Sequence, residues 1–185
     1  MIRHKKTSEP RQLWTFFGLL LLAAAIFGYA VLPYLDPGRA KLVGRQVPEF
    51  ALPTISGAEP GSRIDLQDYR GRVVLLDFWA SWCPPCRTQA PIMDRVARRF
   101  EDQGVSVIGV NTGDEPDAAL AFIEQAGLTY PSVVDLDGSV SRVFGASQLP
   151  TLVVVDPQGK VVNVQARVVK EPELVTIIEA ARSAR

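Results

Sequence analysis

The sequence predicts an α/β domain carried behind one long apolar helix, and three observations lead there. Short apolar runs of strand length alternate with stretches whose apolar residues recur at helical spacing, the pattern of a sheet covered by helices. One run, Val73–Trp79 (VVLLDFW), is apolar except for Asp77, as expected of a central strand buried on both faces. Ahead of these, Leu13 to Leu35 contains no charged residue. A length of 185 residues allows one globular domain with an appendage.

Residues 1–12 form a basic N-terminus, with Arg3, Lys5, Lys6 and Arg11 against Glu9. Residues 13–32 (LWTFFGLLLLAAAIFGYAVL) follow as a transmembrane signal anchor. A helix of that length rises ~30 Å, the thickness of a hydrocarbon core. Trp14, Tyr29 and Tyr34 fall where interfacial aromatics are expected, and the basic flank keeps the N-terminus in the cytoplasm. The rest of the chain then lies on the periplasmic or extracellular side of the membrane. A cleaved signal peptide is the alternative, with small residues at Gly28-Tyr29-Ala30, although the run exceeds the usual ~7–15-residue apolar core of such peptides. Residues 33–46 read as a linker, with two prolines, two glycines and no periodicity, reaching at most about 50 Å.

The folded domain is expected over 47–185. Phe50–Ile55 and Arg63–Leu66 read as short strands joined through Ser56–Ser62. After the central strand comes a helix from about Cys86 to Phe100, with Ile92, Met93, Val96, Ala97 and Phe100 on one stripe and a kink expected at Pro91. Val105–Val110 is the next buried strand. Pro116 suits the first turn of a helix carrying Leu120, Phe122, Ile123 and Ala126, which Gly127 closes. Ser132–Asp135 is a short strand and Ser139–Phe144 a helical turn. Thr151–Asp156 and Val161–Val168 are strands around the turn Asp156-Pro157-Gln158-Gly159, and Pro172 opens a last helix with Leu174, Ile177, Ile178 and Ala181 on one face.

Composition excludes several functions. Twenty basic residues balance twenty acidic ones, which leaves no electrostatic footprint for nucleic acid. The only histidine is His4, so no catalytic histidine, histidine metal site or Cys–His dyad lies in the domain. Both cysteines of the chain sit in Trp82-Cys83-Pro84-Pro85-Cys86, between the central strand and the following helix. A helix N-terminus favours thiolate over thiol, and cysteines three residues apart suit an attacking and a resolving thiol. A zinc site lacks two ligands, and Arg87 stands where c-type haem attachment needs histidine. A structural bridge closing so small a loop would restrain little chain entropy.

The segments PEFALP, DLQDYRGRVVLLDFWASWCPPCR, VIGVNTGD and LPTLVVVDPQGKVV, in that order, resemble the membrane-anchored TlpA/ResA-like thiol-disulfide oxidoreductases of the thioredoxin superfamily. The resemblance implies a thioredoxin fold with an N-terminal hairpin extension and an inserted αβ element. It implies reduction of disulfides in exported proteins such as apocytochrome c, with electrons from a membrane thiol donor and no cofactor or metal beyond the Cys83–Cys86 redox pair. It makes Cys83 the nucleophile and Cys86 the resolving thiol. Pro150 becomes a cis-proline beside the dithiol, with Leu149 offering backbone hydrogen bonds and Trp82 and Thr151 completing the substrate surface.

Asp77, six residues before Cys83, should be desolvated, with a raised pKa, and able to exchange a proton with Cys86. A carboxyl merely satisfied by hydrogen bonds is the alternative. Gln89 stands where many relatives carry a glutamate, and it cannot titrate. Pro84 and Pro85 offer no N–H and no imidazole to a thiolate, which favours a reductase over an oxidant. Two other classes stay open at this point: a peroxiredoxin-like peroxidase, and a non-enzymatic binding module displayed on a membrane with a structural disulfide.

Overall fold

The computed structural model describes residues 9–31, 42–57, 59 and 61–183. The chain divides into two units, Met1–Pro37 and Gly38–Arg185. The first contains helix α1 (Glu9–Val31), whose described side chains, Trp14 to Phe27, are all exposed. Among the described residues no helix is long and apolar enough to cross a membrane. The basic residues before Glu9 and positions 33–41 of the expected linker lie outside the described residues.

The second unit is built on one seven-stranded sheet, in the order β2-β1-β5-β4-β3-β6-β7. Its strands are β1 (Ala51–Ser56), β2 (Arg63–Asp65), β3 (Val73–Trp79), β4 (Val105–Thr112), β5 (Ser132–Asp135), β6 (Thr151–Val155) and β7 (Val161–Gln165). Its helices are α2 (Pro84–Phe100), α3 (Pro116–Ala126), α4 (Ser139–Val143) and α5 (Glu171–Ser183). The β1–β2 pair is the expected hairpin, and α3 with β5 is the inserted αβ element, which places β5 parallel to β4 and antiparallel to β1. Residues 58 and 60 of the hairpin connection lie outside the described residues. Leu66 leaves the second strand for a 3₁₀ turn through Tyr69, because the Asp65 side chain accepts the Gln67 N–H and caps that turn.

All seven residues of β3 are buried, because α2 and α5 cover one face of the sheet and the Phe50–Phe144 layer covers the other. Val74, Leu76 and Phe78 join Phe50 and Phe144, whose rings meet edge to face at 5.9 Å. Val73 and Leu75 pack with Met93, Val96, Phe100, Leu174 and Ile178 on the opposite face. Burying one such side chain stabilises by about 1.5–3 kcal/mol. Alternation along the strand places Asp77 and Trp79 on the same face as Leu75.

Residues 42–46 differ from the linker expectation. Gly44 N–H donates to Val161 O at 2.8 Å, Val161 N–H to Arg45 O at 2.9 Å, and Gln46 bridges to Lys160. These bonds occupy the outer edge of β7, which would otherwise present unpaired backbone groups. Gly44 supports the required turn at φ +86°, and Leu42 packs against the core.

Candidate active site

β3 delivers the dithiol to the C-terminal edge of the sheet. Beyond Trp79 the chain turns, with the Cys83 N–H donating to Ala80 O at 3.2 Å, and Cys83 becomes the N-cap of α2. Its Sγ accepts the Cys86 N–H at 3.2 Å. Pro84 and Pro85 occupy the first two helical positions, where preset φ angles suit them and a missing N–H costs nothing. The same prolines remove two donors, which leaves Cys86 and Arg87 to supply the first N–H groups of the helix, both aimed at Cys83.

Cys83 and Cys86 are joined as a disulfide with Cα atoms 5.3 Å apart. They are 2% and 1% exposed, so exposure does not separate attacker from resolver in this oxidised form. They differ in place: Cys83 caps the helix and Cys86 lies within its first turn, on the buried face. Around them Trp82 is 62% exposed and Pro84 and Pro85 are exposed, giving an apolar rim.

That rim is braced from below. Asp114 accepts hydrogen bonds from Ser81 N at 2.5 Å, Ser81 Oγ at 2.8 Å and Asn111 Nδ2 at 2.9 Å. Trp82 Nε1 donates to Gly113 O at 2.8 Å. Arg87 donates to Ser81 O at 2.9 Å and lies 5.2 Å from the centre of the Phe122 ring. Its charge is therefore committed to the loop and to that ring, and it acts as a brace.

The Leu149–Pro150 peptide is cis. Pro150 is buried, and Leu149 is half-buried against the cluster of Trp79, Ala80, Cys83 and Cys86. Thr151 lies inward of that rim: its side chain is fully buried and its hydroxyl donates to Gln148 O at 2.6 Å.

Asp77 is 1% exposed. Burial pushes its carboxyl up to about 7, and a 3.4 Å hydrogen bond from Tyr130 OH to Oδ2 acts in the opposite direction. Burial likewise holds the Tyr130 phenol well above its ordinary range, with the Asp77 and Asp94 charges adding to the effect. Oδ1 of Asp77 has no hydrogen-bond partner among the described residues. Tyr130 was not legible as a site residue, since 53 positions separate it from Asp77; the one sequence cue is an aromatic with a polar tip directly before Pro131 and a buried strand. Gln89, on the buried face of α2, accepts the Val169 N–H through Oε1 at 2.8 Å and so ties α2 to the segment before α5. Among the described residues no cluster of His, Cys, Asp or Glu could hold a metal ion. A surface groove of about 390 Å³ lined by Tyr69, Arg72, Arg98 and Tyr130 lies near the other end of β4, away from the dithiol.

The AhpC/TSA family model matches residues 43–164. The thiol-disulfide oxidoreductase ResA of Bacillus subtilis is 34% identical over 157 residues, covering 84% of this chain and 86% of that protein. ResA of Geobacillus thermodenitrificans is 36% identical over 144 residues, covering 77% and 80%. The crystal structure of a secreted thiol-disulfide isomerase from Corynebacterium glutamicum superposes with a TM-score of 0.68 at 29% identity, covering 74% of this chain and 84% of that one.

Proposed function

The chain belongs to the AhpC/TSA family of the thioredoxin superfamily and is a thiol-disulfide oxidoreductase resembling the ResA proteins, and from that premise we propose that it is a membrane-tethered reductase of disulfides in exported proteins. The observation that carries the reading is the Cys83–Cys86 pair at the head of α2 with a buried acid two residues before the tryptophan that packs on it.

The reaction follows from that arrangement. In the reduced protein the Cys83 thiolate attacks one sulfur of a substrate disulfide. A Cys83–substrate bond forms, the substrate S–S bond breaks, and one substrate thiolate leaves and takes a proton from water. Cys86 then yields its proton to the Asp77 carboxylate and attacks Cys83 Sγ. The Cys83–Cys86 disulfide forms and the second substrate thiolate is expelled. Two electrons have passed to the substrate, and a membrane thiol donor returns the pair to the dithiol. The apolar rim of Trp82, Pro84 and Pro85, with the backbone at Leu149, receives an extended polypeptide of the apocytochrome c kind. Reduction is the favoured direction because Pro84-Pro85 stabilises a thiolate poorly, and strong oxidants depend on a stabilised reduced form.

Tethering is supported by the charge-free run 13–32 and its basic flank, which hold the domain on the periplasmic or extracellular side of the cytoplasmic membrane. A reporter active only outside the cytoplasm, fused after Arg185, is expected to be active; an inactive one overturns the orientation, and a mature N-terminus near Val31 replaces the anchor with a cleaved signal. For the chemistry, the pH profile of insulin-disulfide reduction should show an inflection near 7 that disappears in Asp77→Asn. Loss of turnover without loss of the inflection would remove Asp77 from the proton step.

A further inference from the structure

The parallel strands β5, β4 and β3 end at one edge of the sheet and β6 begins there, in the spatial order β5-β4-β3-β6. That order sets the connecting segments in a row: Leu136 after β5, Gly113 after β4, Trp82 and Cys83 after β3, and Leu149–Pro150 before β6. Leu136 follows Asp135, which pairs with Thr112, so it stands beside Gly113. The Gly113 carbonyl in turn accepts the Trp82 indole N–H at 2.8 Å. Trp82 at 62% and Leu136 at 64% are the most exposed large apolar side chains among the described residues of the second unit. A lone exposed leucine needs no explanation; one that continues the apolar rim of the dithiol enlarges a recognition surface.

The turn that carries Leu136 is held firmly. The Asp135 carboxylate is buried and accepts the Val140 and Ser141 N–H groups at 3.2 and 2.7 Å. Asp135 O accepts the Gly138 N–H, Asp137 Oδ1 accepts the Ser139 N–H at 2.9 Å, and Arg142 donates to Asp137 O at 2.8 Å. The residues on both sides of Leu136 are thus tied down while its own side chain meets solvent. A contact made from such a scaffold loses little ordering entropy. Gly113 is left-handed at φ +60°, and a Cβ there would meet nothing within 4 Å. No side chain therefore stands between Trp82 and Leu136, and a bound backbone has room to pass over Gly113.

Charge around this row is one-sided. Glu115, Asp117 and Asp137 are exposed. Of the cations beside them, Arg87 is held by Ser81 O and the Phe122 ring, and Arg142 by Asp137 O.

We propose that Leu136 is an outer substrate contact, receiving an apolar side chain with a basic neighbour about three residues from the cysteine of an extended polypeptide bound to Cys83. The spacing follows from the sheet. β3 and β5 lie two strand spacings apart, roughly 10 Å, and an extended chain advances ~3.3 Å per residue. With the backbone at Leu149 on one side of Cys83 and Leu136 on the other, the polypeptide crosses the strand ends. The inference rests on the reading of Cys83 as the thiol that exchanges with polypeptide disulfides.

The test uses full-length Cys86→Ser protein in detergent, with Cys83 first converted to its mixed disulfide with glutathione. A single-cysteine peptide then exchanges: a Cys83–peptide S–S bond forms, the Cys83–glutathione bond breaks, and glutathione leaves as the thiol with the peptide's proton. Mass spectrometry of the non-reduced protein gives the equilibrium constant. Peptides with leucine about three residues before or after the cysteine, beside a lysine, are compared with peptides carrying serine for the leucine or glutamate for the lysine. On one of the two sides, leucine should raise the constant about five- to thirtyfold over serine. Lysine should raise it over glutamate by an amount that shrinks as salt is added. The leucine preference should disappear in Leu136→Ser and be kept in Leu136→Met, which retains an apolar side chain. If Cys83 exchanges with no peptide at all, the reading beneath the inference falls and the inference with it. If exchange proceeds, the outer contact alone is overturned by equal constants for leucine and serine peptides, by a preference that survives Leu136→Ser or is lost in Leu136→Met, or by no lysine preference at low salt.

Discussion

Replacing Asp77 by Asn should stabilise the oxidised protein, and by an amount that grows with pH. An ordinary aspartate titrates at 3.8, and burial raises Asp77 to about 7. The native state therefore holds a proton that the unfolded chain has released across about three pH units. At ~1.36 kcal/mol per unit, ionising this one group costs the native state about 4 kcal/mol. The sign follows from the raised value: the contribution is fully present below pH ~4, declines as pH rises from there to about 7, and is gone above that. An asparagine keeps the shape and still accepts from Tyr130 OH, but has no charge to form. Guanidinium unfolding of the oxidised wild-type and Asp77→Asn proteins at pH 4, 5.5, 7 and 8.5 should show near-equal stabilities at the lowest pH. By pH 8.5 the variant should be ahead by about 4 kcal/mol. A difference that stays flat with pH, or a variant that loses ground as pH rises, would refute the desolvation reasoning.

Other outcomes follow from the same contacts. In Cys86→Ser, Cys83 should hold substrates as mixed disulfides, visible by mass spectrometry of non-reducing complexes; trapping by Cys86 alone in Cys83→Ser would reverse the assignment of attacker and resolver. Asp114→Ala removes the acceptor for Ser81 N, Ser81 Oγ and Asn111 Nδ2 and should cost about 1–3 kcal/mol by thermal or denaturant unfolding, with raised KM for protein disulfides as the rim loosens. Phe144→Ala empties the space between Phe50 and Phe78 and should cost about 3–5 kcal/mol while the Cys83–Cys86 bridge still forms.

What the sequence made legible was local. β3 declared itself because seven residues in a row are buried and six of them are apolar, and the dithiol because both cysteines fall at one strand-to-helix junction. The exception within β3, Asp77, pointed to the acid beneath the site. What stayed hidden depends on contacts between distant residues. Tyr130 reaches Asp77 only because the inserted β5 lies beside β4, and nothing in the spacing of residues 128–131 fixes that. Residues 42–46 look like linker because their pairing partner on β7 is more than a hundred positions away. Arg87 follows the dithiol directly in sequence, and only the fold shows that Phe122 and Ser81 O hold its charge. The cis bond before Pro150 came from family resemblance, since no local feature of Gln148-Leu149-Pro150 requires it. Thr151 shared that origin, and the structure turns its side chain inward.

The equilibrium reduction potential of the Cys83–Cys86 pair tests the central claim most directly. Pro84 and Pro85 withhold two backbone donors, Arg87 is engaged elsewhere, and an ionised Asp77 would oppose a second negative charge nearby, so the reduced form gains little stabilisation. Redox equilibration with dithiothreitol buffers should place the pair below roughly −200 mV, on the reducing side of protein dithiols. A value near about −120 mV, that of a strongly oxidising dithiol, would contradict the assignment as a reductase.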